Sequence, residues 1–222
     1  PETVVITNIE EDHLDYYKDI DEIVAAFKEF ASLTGKTGAV IGCVDNVHTE
    51  KIVKEFKDRA IGYSVMKDAT WHAGNIKFEK GISYFNVFHN GKDLGQFTMM
   101  IPGIFNISNA LGSIAASYLA GLDIDIIRKA LGEFTGAARR FQVMGQKKGT
   151  TVVDDYAHHP TEVRSLLRAA REKFPDKKIW AIFQPHQHSR TRMMLHEFAE
   201  SFSDADLVIV PNIFYARDDK SE

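Results

Sequence analysis

Apolar runs of strand length alternate with helix-period segments from the first residues onward, and this rhythm restricts the fold more than any other feature. TVVITNI, GAVIGCV and AIGYSV are short, apolar and rich in β-branched residues, as strands buried on both faces are. After the first, Ile23, Phe27 and Phe30 fall at 0, 4 and 7 and share one helix face. VHTEKIVKEFKD, between the second and third, reads as a crossover helix. Strand, helix and strand in repetition specify a parallel βαβ sheet.

The pattern changes near Thr70. NIKFEK, SYFNVFHN and GQFTMMIPG are broken by glycines and by Asn90-Gly91, a pair suited to a type I′ hairpin turn. An antiparallel region appended to the parallel sheet is predicted. Helical spacing then returns with Ile107, Ala110, Leu111, Ile114, Ala115 and Tyr118 on one stripe, followed by the helix DIDIIRKALGEF. FTGAARRFQVMGQKKG reads as a basic connector. Beyond it TVVDD, KIWAIF and DLVIVP are separated by helices over 160–174 and roughly 190–202, a β-α-β-α-β order with Pro160 in the first helical turn. Two domains follow, 1–136 and 137–222.

Composition excludes several functions. The 222 residues carry a formal charge of −4, a field that does not attract a polyanion, so no nucleic-acid partner is expected. One cysteine, Cys43, excludes an intramolecular disulfide framework and fits a reducing cytosol; its place in GAVIGCV predicts a buried strand thiol. No apolar stretch approaches the roughly 20 residues that cross a bilayer, so no membrane partner and a cytoplasmic location are expected. Oligomeric state is not legible. Pro1 leading straight into an apolar run, and ARDDKSE trailing the last strand, read as internal points of a longer chain.

Chemistry-bearing residues gather where strands end. Gly35-Lys36-Thr37 imitates a phosphate loop, but Phe30 stands where that loop needs glycine. TNIEEDHLD brings Glu10, Glu11, Asp12, His13 and Asp15 to the end of the first strand. It reads either as a Mg²⁺ or Mn²⁺ site of hard oxygens with one imidazole or as a solvated acidic helix start. DDYAHHPTE places Asp154, Asp155, Tyr156, His158 and His159 between a strand and a helix, where Asp155 or His159 is the candidate helix cap. FQPHQHSRTR brings His186, His188, Arg190 and Arg192 to the equivalent place after the next strand, with guanidinium forks suited to phosphate or carboxylate. A zinc site is a weaker reading, because no cysteine pair accompanies these histidines. In IPGIFNISNA, Asn106 and Asn109 can cap a helix or offer an amide to a base edge. Arg139-Arg140 lies between the domains, where either arginine can reach a phosphate or both are solvated.

In this order the segments resemble the Mur ligases, ATP-dependent carboxylate-amine ligases of bacterial cell-wall synthesis, over essentially the whole chain. DDYAHHPTE and FQPHQHSRT most resemble the branch that joins L-alanine to UDP-N-acetylmuramate. The resemblance implies an α/β fold: part of a central ATPase domain, a parallel βαβ sheet with a small antiparallel region, followed by an incomplete Rossmann-like C-terminal domain. It implies ATP and Mg²⁺ as cofactors and UDP-N-acetylmuramate and L-alanine as substrates, joined through an acyl phosphate. By position, His13 resembles the metal-binding histidine, while Asn109 with Asn106 is expected to contact adenine. Arg140 and Asp155 are expected to meet the nucleotide from the second domain. His158, His159, His186 and Arg190 are expected to face the muramoyl carboxylate, the acyl phosphate or the amino acid. Phe105 and Gln187 depart from the family's usual histidine and arginine. No glycine-rich phosphate loop or UDP-binding domain lies within 1–222, so this stretch alone is expected not to turn over. The alternatives are a murein-peptide recycling ligase of the same family and a non-catalytic nucleotide-binding module.

Overall fold

In the computed structural model, which describes residues 1–14 and 16–214, the three leading apolar runs become parallel strands: β1 (Thr3–Ile6), β2 (Ala39–Cys43) and β3 (Ala60–Ser64). Helices α1 (Ile20–Ser32) and α2 (Val47–Phe56) connect them. Each helix starts on a side-chain cap: Asp19 accepts the N–H groups of Asp21 and Glu22, and Asn46 those of His48 and Thr49. Val4, Ile6, Ile9, Ile23, Ala31, Val40 and Ile52 form the core beneath α1 and α2, with Phe27 packed against it. Phe30 completes the predicted helix face in sequence, yet it is exposed, because the buried line of α1 runs through Ile23, Phe27 and Ala31 and Phe30 lies beside it.

The antiparallel region is not a separate layer. Strand β4 (Trp71–Glu79) pairs parallel with β3, then antiparallel with β5 (Ile82–His89), which pairs with β6 (Lys92–Met99). One six-stranded sheet in sequence order results. Asn90 (φ 50°) and Gly91 (φ 76°) both adopt the left-handed conformation required at the two central positions of a type I′ turn. Helix α3 (Ile104–Leu119) buries Ile107, Ala110, Leu111, Ile114 and Ala115 as its spacing predicts, while Tyr118, one turn further, is exposed. Helix α4 (Ile124–Glu133) follows, capped by Asp123.

The chain divides into two compact units. The first is Pro1–Met100 with Ile104–Phe134, and the second takes Ile101–Gly103 and begins again at Thr135. In the second unit the basic connector is partly strand: β7 (Gln142–Lys147) forms a hairpin with β8 (Thr150–Asp154) through Lys148 and Gly149, both at positive φ. The polar composition of β7 concealed it, since its residues are almost all exposed. Helix α5 (Pro160–Lys173) buries Val163 and Leu167. Strands β9 (Trp180–Ile182) and β10 (Leu207–Ile209) pair parallel. Among the described residues β8 pairs with β7 and does not join β9 and β10 in one ladder. The helix read over roughly 190–202 is two helices, α6 (His188–Met193) and α7 (Leu195–Ser201), broken at Met194.

Candidate functional site

In the first unit the segments that carry the expected residues are tied to one edge, the C-terminal ends of β1 and β2. Cys43, the buried last residue of β2, lies 3.5 Å from the Ser108 hydroxyl in the first turns of α3, which brings the stretch between Asn106 and Asn109 to that edge. Burial pushes the Cys43 thiol above its usual range. Just beyond, the Asp45 carboxylate accepts Ser64 Oγ at 2.5 Å and the Val65 N–H at 2.8 Å, tying the ends of β2 and β3 together. The Asn46 amide donates to the Ile9 carbonyl at 3.1 Å and holds the loop that carries His13 beside the start of α2. Open parallel sheets bind ligands at this edge.

His13 is exposed, at φ 55°, with its carbonyl accepting the N–H groups of Tyr16 and Tyr17. Its Nε2 is 3.7 Å from Asp12 Oδ2, and Asp12 Oδ1 accepts the His13 N–H at 2.8 Å. Asp15 lies outside the described residues. Among those described, no three His, Cys, Asp or Glu side chains converge as a metal cage. This donor set does not fit zinc, which needs three or four protein ligands. It does fit Mg²⁺, which keeps several waters and takes one or two protein ligands beside substrate phosphates. Asn106 and Asn109 sit within α3, which begins at Ile104, so neither precedes the helix as its cap. Three residues apart, they share a face.

In the second unit the loop from β8 to α5 gathers four of the expected residues. Both Asp155 carboxylate oxygens accept backbone N–H groups, Phe141 at 2.7 Å and Ala157 at 2.8 Å. Burial raises the Asp155 pKa above its usual value against the pull of those two donors. His159 is the cap of α5, its Nδ1 accepting the Thr161 N–H at 3.3 Å while Glu162 accepts the His159 N–H at 3.3 Å, a reciprocal capping box. Glu162 also accepts the His158 N–H at 2.9 Å and lies 3.4 Å from Arg140 Nη1. Arg140 is exposed between Arg139 (φ 57°) and Phe141 (φ 48°), two non-glycine residues in the left-handed region. The Arg139 guanidinium stacks on the Tyr156 ring, 4.6 Å from its centroid, and its carbonyl accepts the Tyr156 N–H at 2.9 Å.

His186 belongs to the loop after β9, and Arg190 to the helix that follows it. The exposed His186 ring stacks on Phe214 with centroids 4.7 Å apart, and residue 186 forms a parallel bridge with 214. Arg190, half-buried, lies in α6.

Comparison with known proteins accounts for this layout. A family model described as Mur ligase middle domain matches residues 1–117, and one described as Mur ligase, glutamate ligase domain matches 139–221. The chain belongs to the Mur ligase family. It is 45% identical over 219 residues to the UDP-N-acetylmuramate–L-alanine ligase of Caldanaerobacter subterraneus subsp. tengcongensis, covering 98% of this chain and 47% of that protein. It is also 45% identical to the ligase of the same name from Alkaliphilus metalliredigens, covering 96% and 46%. The chain thus spans about half the length of the curated relatives it matches. The solved UDP-N-acetylmuramate-alanine ligase of Thermotoga maritima superposes with a TM-score of 0.79 at 30% identity, over 96% of this chain and 46% of that one. A murein peptide ligase from Psychrobacter arcticus gives 0.63 at 27%, over 95% and 43%.

Within this Mur ligase chain two departures gain a structural meaning. Gln187 is buried, at φ 70°, with its N–H donated to the Phe214 carbonyl; an uncharged residue suits that burial, and the missing arginine is not a charge lost from an open rim. Phe105 lies in the first turn of α3, half-buried. Sequence reasoning left Glu162 and Asp45 without roles. His159-Pro160-Thr161-Glu162 does carry the spacing of a capping box, with histidine where serine or threonine is usual.

Proposed function

We propose that this chain is part of an enzyme that uses ATP to join L-alanine to the carboxylate of UDP-N-acetylmuramate. The observation that carries this reading is the 45% identity, across 98% of the chain, to a relative named for that reaction. The placement of Asp155, His158, His159 and His186 on loops that follow β8 and β9 supports it. The first unit handles the nucleotide: Asn106 and Asn109 face adenine, and His13 with Asp12 contributes to Mg²⁺. When bound, Mg²⁺ neutralises phosphate oxygens during phosphoryl transfer. In the second unit Arg140 and Asp155 are assigned to the nucleotide, and His158, His159, His186 and Arg190 to the acid and the amine.

A carboxylate is a poor electrophile, and converting it to an acyl phosphate supplies the leaving group that amide formation needs. Fixed cations such as Arg190 and Arg140 oppose the charge that accumulates on the phosphoryl oxygens. No helix among the described residues is long and apolar enough to cross a membrane, and we place the reaction in the cytoplasm with its nucleotide-sugar substrate.

The test is ADP release by the complete gene product with UDP-N-acetylmuramate and L-alanine, glycine or L-serine, and with a murein tripeptide as acceptor. L-Alanine is expected to be preferred, and Arg190→Ala is expected to cut turnover severely. Preference for the tripeptide would move the protein to the recycling branch of the family. Amide formation by residues 1–222 alone would contradict the division of labour proposed here.

A further inference from the structure

Two adjacent histidines stand at the start of α5, and the structure gives their rings opposite proton arrangements. The Nδ1 of His158 lies 2.9 Å from the carbonyl oxygen of Tyr156. A carbonyl only accepts, so the neutral ring carries its proton on Nδ1 and its lone pair on Nε2. The Nδ1 of His159 instead accepts the Thr161 N–H, so its lone pair is on Nδ1 and its proton on Nε2. His159 is occupied in capping the helix, and of the two rings His158 is the one with a basic Nε2.

Glu162 acts on both sides of this arrangement. Its Oε2 accepts the N–H groups of His158 and His159 and lies 3.4 Å from His158 Nδ1, while Oε1 is 3.4 Å from Arg140 Nη1. Burial pushes the Glu162 carboxyl up, but the His158 N–H, the His158 ring and Arg140 together bring it below its usual value. It is ionised at neutral pH. A carboxylate behind Nδ1 stabilises the protonated ring and so strengthens Nε2 as a base. Glu162 Oε2 lies against the Nδ1 side of the ring, Arg140 pairs with the other oxygen of that carboxylate, and the Tyr156 ring packs edge-on at 5.2 Å.

We propose that Glu162 is a positioning residue for amide formation: it holds His158 in the Nδ1–H form and strengthens Nε2, which takes the proton from the attacking amine. This rests on the ligase reading above. In the step, the amine nitrogen forms the N–C bond to the acyl-phosphate carbon. The C–O bond to the phosphoryl group breaks with its electron pair leaving on inorganic phosphate, and the proton lost by nitrogen passes to Nε2 of His158.

Glu162→Gln is the informative variant, because the amide oxygen still accepts the two backbone N–H groups while the charge is gone. In the ¹⁵N-histidine-labelled 222-residue chain, the His158 ring is followed by long-range ¹H–¹⁵N correlation through a pH titration. The neutral wild-type ring is expected in the Nδ1–H form, and its midpoint is expected to fall by roughly half a unit or more in Glu162→Gln. Glu162→Asp, which keeps the charge, is expected to restore most of that fall. In the complete gene product, kcat of Glu162→Gln is expected to drop about tenfold or more, with KM for L-alanine little changed. A wild-type ring in the Nε2–H form, or a Glu162→Gln midpoint within about 0.2 unit of wild type, overturns the proposal; so does an unchanged kcat. If the ring behaves as expected but the complete wild-type protein forms no amide from these substrates, the ligase reading fails and the Glu162–His158 coupling stands.

Discussion

Gly42 leaves no room for a side chain beneath α2, and Gly42→Ala should show how closely α2 must lie on the sheet for the strand-end loops to form. A Cβ on Gly42 would sit 2.5 Å from Val53 Cγ2 and 2.9 Å from Thr49 Cγ2. Ordinary carbon contacts begin near about 3.5 Å, so α2 must retreat by roughly 1 Å. Neither neighbour can swing aside, since both are β-branched with χ1 confined by the helix, and Thr49 is completely buried. Overpacking of this kind costs about 1–3 kcal/mol, and with two rigid neighbours the upper end applies. The lower entropy of an unfolded alanine chain returns about 0.4–1 kcal/mol. A net loss of about 2 kcal/mol corresponds to an unfolding midpoint roughly 4–8 °C lower for a chain of this size. Thermal unfolding of the 222-residue chain, followed by circular dichroism, measures it. Val53→Ala removes the nearer obstacle, so the double variant should be more stable than the sum of the two single losses. A loss under about 0.5 kcal/mol, the size of an ordinary surface substitution, would refute the packing argument. A loss that Val53→Ala leaves unrelieved would refute it equally.

Gly91→Ala tests a different mechanism, because a Cβ there meets nothing within 4 Å while φ is +76°; a cost of about 1–2 kcal/mol from the left-handed backbone alone is expected in thermal melts, and Gly91→Asn should recover part of it. Asp45→Ala removes an acceptor of two hydrogen bonds at the ends of β2 and β3, and a urea midpoint lowered by the equivalent of about 3 kcal/mol is expected. The lowered Glu162 pKa has a sign that can be checked. Its contribution is present above the unfolded-state value, near the usual 4.5, and is lost as pH falls through the lower folded-state value. The stability gap between wild type and Glu162→Gln should therefore be open at about pH 7 and narrow as the pH falls below about 4.5 in denaturant titrations.

Periodicity carried most of the fold because burial is a property of whole faces. Ile107, Ala110, Leu111, Ile114 and Ala115 could only be one side of a helix against a sheet, and Asn90-Gly91 could only be a tight turn. At the margins of a face the pattern lost its hold: Phe30 lies beside the buried line of Ile23, Phe27 and Ala31, and Tyr118 packs its ring edge against Trp71 and His89 while staying exposed. Strand β7 was invisible because a hairpin arm exposed on nearly every residue carries no hydrophobic alternation. Of the candidate site, residue types and loop positions were legible and partnerships were not. His159 and His158 are chemically identical letters, and only the positions of Thr161 N and Tyr156 O separate a helix cap from an oriented base. Gln187 reads as a polar rim residue until the turn it occupies is seen to bury it.

The backbone shows why these loops need such partners. Several non-glycine residues at positive φ have local explanations: Lys80, Asn90 and Lys148 precede glycines in hairpin turns, Asn75 sits at the irregularity in the β4–β5 ladder, and Lys57 ends α2. His13, Arg139, Phe141 and Gln187 have none, and each either is an expected site residue or adjoins one. Left-handed backbone at such residues costs of order 1–3 kcal/mol and persists only where surrounding contacts over-determine it. The His13 carbonyl holds Tyr16 and Tyr17, the Arg139 carbonyl holds Tyr156 N–H, the Phe141 N–H is held by Asp155, and the Gln187 N–H by the Phe214 carbonyl. Asp155 therefore matters to Arg140 whether or not it touches a nucleotide itself. In Asp155→Asn the Phe141 N–H faces a weaker, neutral acceptor, so the strained turn is expected to relax and Arg140 to lose its place beside Glu162, read as faster amide hydrogen exchange at Phe141 than in wild type.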